Sequence, residues 1–391
     1  MIKTIVYFLM LLTVFAGCSS NKRSKAELAC IDITKNYPEK EIFLTDIADI
    51  TYLYLNSDDD DYLYSGSISY LTKNTVVVYS RISGDILFFS RDGIPKSRFN
   101  RKGQGPEEYV NALGIIYDEV TDDVFVNRMR DIQVYSSTGE YKRKINYPQG
   151  SMTDGTIVSL DEHSLFFYDM GIETKRAMPD EAYLSENILV TPFYRISKLD
   201  GEVLDYVVIP YVPIFLGINL EGQRVPGQRR RLAMCPEGVF LCSAETDTVF
   251  LYSHDKSLTP ILCKTPSVNA TDPMTYIKNC LDIGQYQIIE VCTVRAGEVY
   301  PAVFPVKYYT RDKKTGEIFH HKFLLPDYTG KEFIINIGPG YNEYCFELDL
   351  IELKKAYREN KLSGKLQELV ATLNEDEDNN VFMLARFKYI D

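Results

Sequence analysis

Short apolar segments separated by turn-forming residues follow one another along most of this chain. Residues 75–79 (TVVVY) and 123–126 (DVFV) are two examples, and both are rich in β-branched and aromatic side chains. Segments of this kind, bounded by Gly, Asp, Asn and Ser, are typical of β-strands joined by tight turns. The pattern predicts an all-β protein.

One strand–turn unit recurs with its glycine in register. Residues 85–93 (DILFFSRDG) are echoed by 131–139 (DIQVYSSTG), so that Gly93 and Gly139 lie 46 positions apart. A repeat period of roughly 40–50 residues is the mark of β-propeller blades. Looser copies of the unit end near residues 201, 252 and 316, which makes five blades.

The sixth blade is expected to combine the two ends of the chain. Residues 381–389 form a clear C-terminal strand, and residues 41–55 offer strands from the other end. Pairing them closes the ring and leaves no long unpaired edge. The leucines of 348–373 recur with near-helical spacing, which predicts a helical insertion near the C-terminus that Gly364 divides in two. The fold class is therefore a six-bladed β-propeller closed by N- and C-terminal strands.

The first residues have the features of an export signal. Lys3 precedes the apolar stretch 5–15, which is too short for an ordinary transmembrane helix, and Ala16-Gly17 leads directly to Cys18. This arrangement resembles the lipobox of bacterial lipoproteins and predicts lipidation of Cys18 after removal of residues 1–17. The alternative is a simple secretory signal with a chance cysteine. Residues 18–40 are expected to form a tether and 41–391 the propeller, and Ser19 favours an outer-membrane location in the cell envelope.

Charge and cysteine content narrow the possible partners. The net charge of −12 argues against a nucleic-acid partner, because phosphate binding needs a basic surface. Seven cysteines remain besides Cys18, and several lie in apolar strand-like segments such as 239–242. We expect mostly buried free thiols rather than a framework of disulfides.

Residues 101–109 (RKGQGPEEY) carry a resemblance to a known family. They are similar to the glycine-rich signature of six-bladed β-propeller lipoproteins from Gram-negative bacteria, related to NHL and TolB-like propellers, and 247–250 (DTVF) resembles a second motif of that family. Asn100 and Glu107 stand where the signature usually has glycine. The resemblance implies the fold but no reaction, since members of the family are mostly uncharacterised.

The same loop and one arginine cluster are the candidate binding residues. Gly103, Gly105 and Pro106 predict a tight connection between blades, because a phosphate-binding loop would need a helix directly after it. Five neighbouring side chains could line the mouth of the central channel and bind a ligand: Arg101, Lys102, Gln104, Glu108 and Tyr109. A basic cluster could hold an anion or an acidic partner, or form a solvated loop: Arg224, Arg229, Arg230 and Arg231.

No catalytic motif stands out. The four histidines (His163, His254, His320 and His321) lack metal-site spacing, and the acidic runs 58–61 and 375–378 lack the spacing of a calcium loop. We predict no cofactor and no metal. The leading hypothesis is a lipid-anchored binding or scaffold propeller of the cell envelope that recognises a glycan, peptide or protein, without defined catalysis. The alternatives are a metal-dependent, lactonase-like hydrolase and an accessory subunit of an outer-membrane uptake system.

Overall fold

The computed structural model describes residues 28–56, 66–148, 156–169, 191–211, 232–294, 305–335, 343–374 and 378–389. It also describes Tyr62, Tyr64, Ser151, Thr153, residues 171–172 and the backbone of 217–220 and 223–226. These residues form seven sheets, of which six are arranged as the blades of a propeller and one is a separate two-stranded hairpin.

The described chain begins with a segment that contributes to three different blades. Its elements are β1 (Ala29–Asp32), β2 (Glu39–Phe43), α1 (Leu44–Ile47) and β3 (Ala48–Tyr54). The two short strands pair in parallel with blades further along the chain, whereas β3 pairs antiparallel with the last strand.

Blades 1 to 3 are four-stranded antiparallel sheets. Blade 1 comprises β4 (Ser67–Leu71), β5 (Thr75–Tyr79), β6 (Asp85–Ser90) and β7 (Pro95–Asn100). Blade 2 comprises β8 (Gly114–Asp118), β9 (Asp123–Asn127), β10 (Asp131–Tyr135) and β11 (Tyr141–Asn146). Blade 3 comprises β12 (Ile157–Ser159), β13 (Ser164–Tyr168), β14 (Phe193–Ser197) and β15 (Val203–Val207).

The second half of the ring is more elaborate. A separate hairpin, β16 (Gly217–Leu220) and β17 (Gln223–Pro226), precedes blade 4, which comprises β18 (Leu232–Cys235), β19 (Gly238–Leu241), β20 (Thr248–Ser253) and β21 (Leu258–Thr265). A 3₁₀ turn (Val268–Ala270) leads to blade 5, which comprises β22 (Met274–Ile283), β23 (Tyr286–Val294), β24 (Val306–Asp312), β25 (Ile318–Leu325) and β26 (Tyr328–Phe333). Blade 6 contains β27 (Glu343–Leu348) and β28 (Val381–Phe387), separated by α2 (Leu350–Arg358) and α3 (Gly364–Thr372).

The first strands of blades 1 to 5 lie at the centre of the ring. Contacts between blades join β4 to β8, β8 to β12, β12 to β18 and β18 to β22, which are all first strands. In blades 1 to 5 the fourth strand therefore lies at the rim. In blades 1 to 4 a β-bulge interrupts the pairing of the third and fourth strands. Such bulges increase the local twist of a sheet.

The predicted closure of the ring is confirmed. β28 pairs antiparallel with β3 along its whole length, from Val381 opposite Tyr54 to Phe387 opposite Ala48. Pairing removes the exposed backbone edges that an open ring would leave. The helical insertion is also confirmed as two short helices, and their buried residues include Leu353 and Leu366. None of the helices among the described residues is long and apolar enough to cross a membrane.

The predicted boundary of the tether at residue 40 is wrong. β1 pairs in parallel with β21, and a disulfide joins Cys30 to Cys263 within that pair. β2 pairs in parallel with β25, so it belongs to blade 5 and not to the closing blade. The N-terminal segment covers the outer edges of two blades, and the physical reason is that a bare edge strand leaves its hydrogen-bonding groups unpaired. The expectation of mostly free thiols fits the other five described cysteines, of which only Cys345 is not fully buried.

Candidate interaction surface on the third blade

The predicted ligand loop connects the outer strand of blade 1 to the inner strand of blade 2. Tyr109 is fully buried, and its hydroxyl donates to the carbonyl of Gly84 at 2.7 Å. The prediction that Tyr109 lines the mouth of the channel is therefore wrong. Burial raises the pKa of Tyr109, as expected for a phenol held away from water.

The other polar groups of this loop also bond within the protein. Glu108 Oε2 accepts from the backbone N–H of Gly105 at 2.8 Å, and a Cβ on Gly103 would lie 1.9 Å from the same oxygen. Glycine at 103 thus leaves room for the carboxylate. Arg101 Nε donates to the carbonyl of Gly139 in blade 2, at 2.9 Å.

The remaining contacts of the loop hold blades 1 and 2 together. Lys102 Nζ donates to the carbonyl of Ile82 at 2.6 Å, and Pro106 O accepts from Gln133 Nε2 at 3.0 Å. The next regular element is the strand β8, which offers no helix N-terminus for a phosphate. Lys102 and Gln104 are exposed, so a ligand contact for these two side chains stays a prediction.

Several sequence candidates cannot be placed. Cys18, Arg229, Arg230 and Arg231 lie outside the described residues, as do the acidic run 58–61 and residues 375–377 of the second run. Lipidation of Cys18 and anion binding by the three arginines therefore remain predictions.

The adjacent histidines of β25 both lie within hydrogen-bond distance of the neighbouring strand β24. His320 Nδ1 lies 2.7 Å from the carbonyl of Tyr308, and His321 Nδ1 lies 2.6 Å from Thr310 Oγ1. Burial, with a smaller effect of neighbouring His320, lowers the pKa of His321 to about 4. Within the described ranges, no group of three or more His, Cys, Asp or Glu side chains could hold a metal ion.

Comparison of the outer strands shows a surface that the sequence analysis missed. β7, β11 and β15 have the same alternation of exposed and buried positions, and each contains a bulge at its second residue. The exposed positions in blades 1 and 2 are polar or charged: Lys96, Arg98, Asn100, Lys142, Lys144 and Asn146. At the equivalent positions blade 3 carries Leu204, Tyr206 and Val208, which are 41%, 59% and 44% exposed. We call these three side chains the apolar rim.

The apolar rim is rigidly supported. The ring of Tyr206 packs edge-on against Tyr194 with centroids 5.3 Å apart, and Tyr194 in turn stacks on buried Phe167. On the opposite face of β15, Asp205 Oδ2 accepts a hydrogen bond from Tyr252 of blade 4 at 2.6 Å. The strand is therefore fixed to its neighbours on both faces while its outer edge points away from the ring.

The outer edges of the other blades are covered or polar. β1 covers β21 of blade 4 and β2 covers β25 of blade 5, whereas β3 of blade 6 exposes Asp49 and Thr51. In the described part of the chain, β15 pairs only with β14. Proteins usually protect edge strands with charges or bulges; β15 contains a bulge but exposes apolar side chains in place of charges, which makes this edge a candidate interaction surface. In the sequence, this surface corresponds to residues 203–209 (VLDYVVI), which have apolar side chains at the positions where blades 1 and 2 carry cations.

Comparisons with known proteins agree with this architecture. The family DUF5128, described as a six-bladed β-propeller, matches residues 19–194. The chain is a six-bladed β-propeller, and this stretch of it is similar to that family. No curated protein matches its sequence.

Several solved structures are similar to this chain at low sequence identity. A Bacteroides fragilis protein described as exported has a TM-score of 0.61 and 16% identity over 92% of this chain and 99% of its own. A DUF4221 protein of Bacteroides vulgatus has a TM-score of 0.46 and 12% identity, with coverage of 88% and 97%. Virginiamycin B lyase from Staphylococcus aureus has a TM-score of 0.35 and 10% identity, with coverage of 76% and 92%. The likeness to the Bacteroides fragilis protein concerns the fold alone.

Proposed function

We propose that this propeller is a scaffold of the cell envelope, anchored through lipid on Cys18, that holds a protein partner on blade 3. The apolar rim is the observation that carries the proposal. It places three large apolar side chains on an exposed edge where two sister blades carry cations and amides. Aromatic anchors backed by packed neighbours are typical centres of protein interfaces.

The contacts of the loop at 101–109 favour a scaffold role for the protein rather than a ligand site at the mouth of the channel. Tyr109, Glu108 and Arg101 use their polar atoms to join strands and blades, so these groups stabilise the ring. The rim, by contrast, has side chains that contact water. A partner that covers them gains the free energy of removing apolar area from water, about 25 cal/mol per Å².

The location in the envelope rests on the sequence and on one fold relative. The small residues before Cys18 resemble a lipobox. The Bacteroides fragilis protein of the same fold is described as exported. Acyl chains on Cys18 would supply about 0.8 kcal/mol per buried CH₂, which suffices for stable anchoring when two or more chains are present.

Anchoring is tested by expressing the full chain and its C18S variant in a Gram-negative host fed with a labelled fatty acid. The proposal expects label and membrane association for the natural chain and neither for C18S. Membrane association that persists equally in C18S would contradict lipid anchoring.

Partner binding is tested by site-specific photo-crosslinking in cells. A photoreactive phenylalanine analogue replaces Tyr206, or Lys144 at the equivalent position of blade 2 as the matched control. We expect one discrete protein adduct from position 206 and none of that mass from position 144. Identical adduct patterns at the two positions, or no adduct from either, would contradict a docking surface on blade 3.

A further inference from the structure

We infer that the partner docks by adding an extended segment to β15 as a fifth, parallel strand of blade 3. This inference rests on the proposed function and specifies the chemistry of the partner. The juxtaposition that carries it is an outer strand with an apolar rim, whose free edge no described strand pairs, in a ring where the outer strands of blades 4 and 5 already hold such an addition.

The precedent lies within the same ring. On blade 4, β1 lies parallel to β21 from Ala29 opposite Leu262 to Asp32 opposite Thr265. On blade 5, β2 lies parallel to β25 from Glu39 opposite His320 to Phe43 opposite Leu324. In both cases a short segment that is distant in sequence completes the outermost strand. The rim of this propeller therefore accepts parallel strands of four or five residues.

Blade 3 offers the same kind of edge. β15 has five residues, the same length as β2, and a bulge interrupts its pairing with the third strand of its blade, as in the outer strand of blade 4. An edge strand leaves alternate backbone N–H and C=O groups free for a further strand. Main-chain hydrogen bonds would supply affinity, and the side chains beside the rim would supply selectivity.

The chemistry of the rim specifies the incoming strand. Because side chains alternate between the two faces of a sheet, every second residue of the incoming strand lies on the face of Leu204, Tyr206 and Val208. Apolar or aromatic residues at those positions would cover the rim. Asp200 and Glu202, both exposed, precede β15. In a parallel arrangement the N-terminal end of the partner lies beside these carboxylates, so we expect Lys or Arg there.

A second copy of this chain fits the edge less well. Two copies that pair β15 with β15 about a twofold axis must run antiparallel. Both additions seen in the ring are parallel. A partner with a basic residue before its strand also complements an exposed acidic pair on a chain with a net charge of −12.

The test uses synthetic peptides and the intact domain. The probe is a fluorescein-labelled peptide, Lys-Arg-Thr-Val-Thr-Tyr-Thr-Val-Thr, in which apolar residues alternate with threonine. Two control peptides have the same composition: one is scrambled, and one carries N-methyl groups on alternate backbone amides of the edge that would face β15. Binding is measured by fluorescence anisotropy with natural protein, Y206K, and K144A as the matched control.

The expected result is saturable binding of the probe that Y206K weakens at least about tenfold and K144A leaves unchanged, as for loss of an interface anchor. N-methylation should abolish binding, because it removes main-chain donors. Equal binding of the N-methylated or scrambled peptide, or no binding of the probe, would overturn strand addition. Circular dichroism of Y206K, matched to natural protein, confirms that the variant is folded.

Orientation is tested by disulfide trapping with a L204C variant and probe peptides that carry cysteine at either end. A parallel strand crosslinks through its N-terminal cysteine and an antiparallel strand through its C-terminal one, so preferential C-terminal trapping would overturn the proposal. Light scattering of the natural protein addresses self-association: a dimer that Y206K dissolves would also overturn it. Crosslinking of a cellular partner at position 206 without any peptide binding would retain the proposed function and reject this inference alone.

Discussion

Gly139 in the turn of blade 2 lies directly against Phe99 in the outer strand of blade 1. A Cβ on Gly139 would come within 2.6 Å of Phe99 Cβ, and the φ angle of Gly139 is +84°. Gly93 meets the carbonyl of Tyr54 in the preceding blade in the same way. The repeated glycine of the sequence is therefore a contact point between blades as well as a turn residue.

Substitution of Gly139 by alanine should destabilise the ring. The left-handed backbone costs alanine about 1–2 kcal/mol, and the displaced Phe99 adds a packing cost of about 1–3 kcal/mol. Urea denaturation of G139A measures the sum. The matched control is G316A, where φ is +74° but no atom lies within 4 Å of the added Cβ. Equal losses in the two variants would show that the contact with Phe99 contributes nothing.

The ion pair between Arg91 and Glu343 should stabilise the junction of the first and last blades. Arg91 Nη2 lies 2.5 and 2.6 Å from the two carboxylate oxygens, and both side chains are mostly buried. R91M should lower the free energy of unfolding by about 3 kcal/mol, because it leaves Glu343 without its closest cation. K331M removes the exposed pair with Glu352 and should cost less than about 1 kcal/mol. Denaturation of both variants measures how much free energy of unfolding each one loses. Similar losses would contradict a special role for the ion pair at the junction.

Stability should fall as the pH drops from about 6.5 to about 4. The folded protein lowers the pKa of His321 to about 4, chiefly by burial, whereas the unfolded chain has the ordinary value of 6.5. Between these values the unfolded state binds a proton that the folded state does not, so acid favours unfolding by up to about 3 kcal/mol. In H321Q this part of the pH dependence should disappear. H254Q, which changes an exposed histidine, should retain it. If the dependence of stability on pH persists unchanged in H321Q, other groups must cause it.

Reduction of the disulfide should destabilise the protein. Cys30 and Cys263 are 233 positions apart, and cross-links over long loops typically contribute about 2–4 kcal/mol. C30S should unfold at a lower temperature than the natural protein and should no longer respond to a reducing agent. C345S, which changes a free thiol, is the control. If the reducing agent does not change the unfolding temperature of the natural protein, this expectation is wrong.

The sequence predicted those features that repeat or that show a period. The in-register glycines, the strand at 381–389 and the leucine spacing gave the blades, the closure and the helices. The parallel strands at 29–32 (ACID) and 39–43 (EKEIF) were missed, because each is short, partly charged and paired with residues more than 200 positions away. Tyr109 was misplaced because its neighbours are polar while its own ring is buried. The apolar rim at 204–208 becomes visible only when equivalent positions of the outer strands are compared. That alignment requires the positions of the bulges to be known.

The docking of β1 also bears on how the ring would lie near a bilayer. Cys18 precedes Leu28, the first described residue, by ten positions, and a chain of that length reaches at most about 36 Å. With a fatty acid on Cys18, the perimeter of blade 4 could not move further than this from the lipid surface, because β1 and its disulfide hold the start of the chain there. Blade 3 is the adjacent sector, so whatever it captures would be kept close to the membrane.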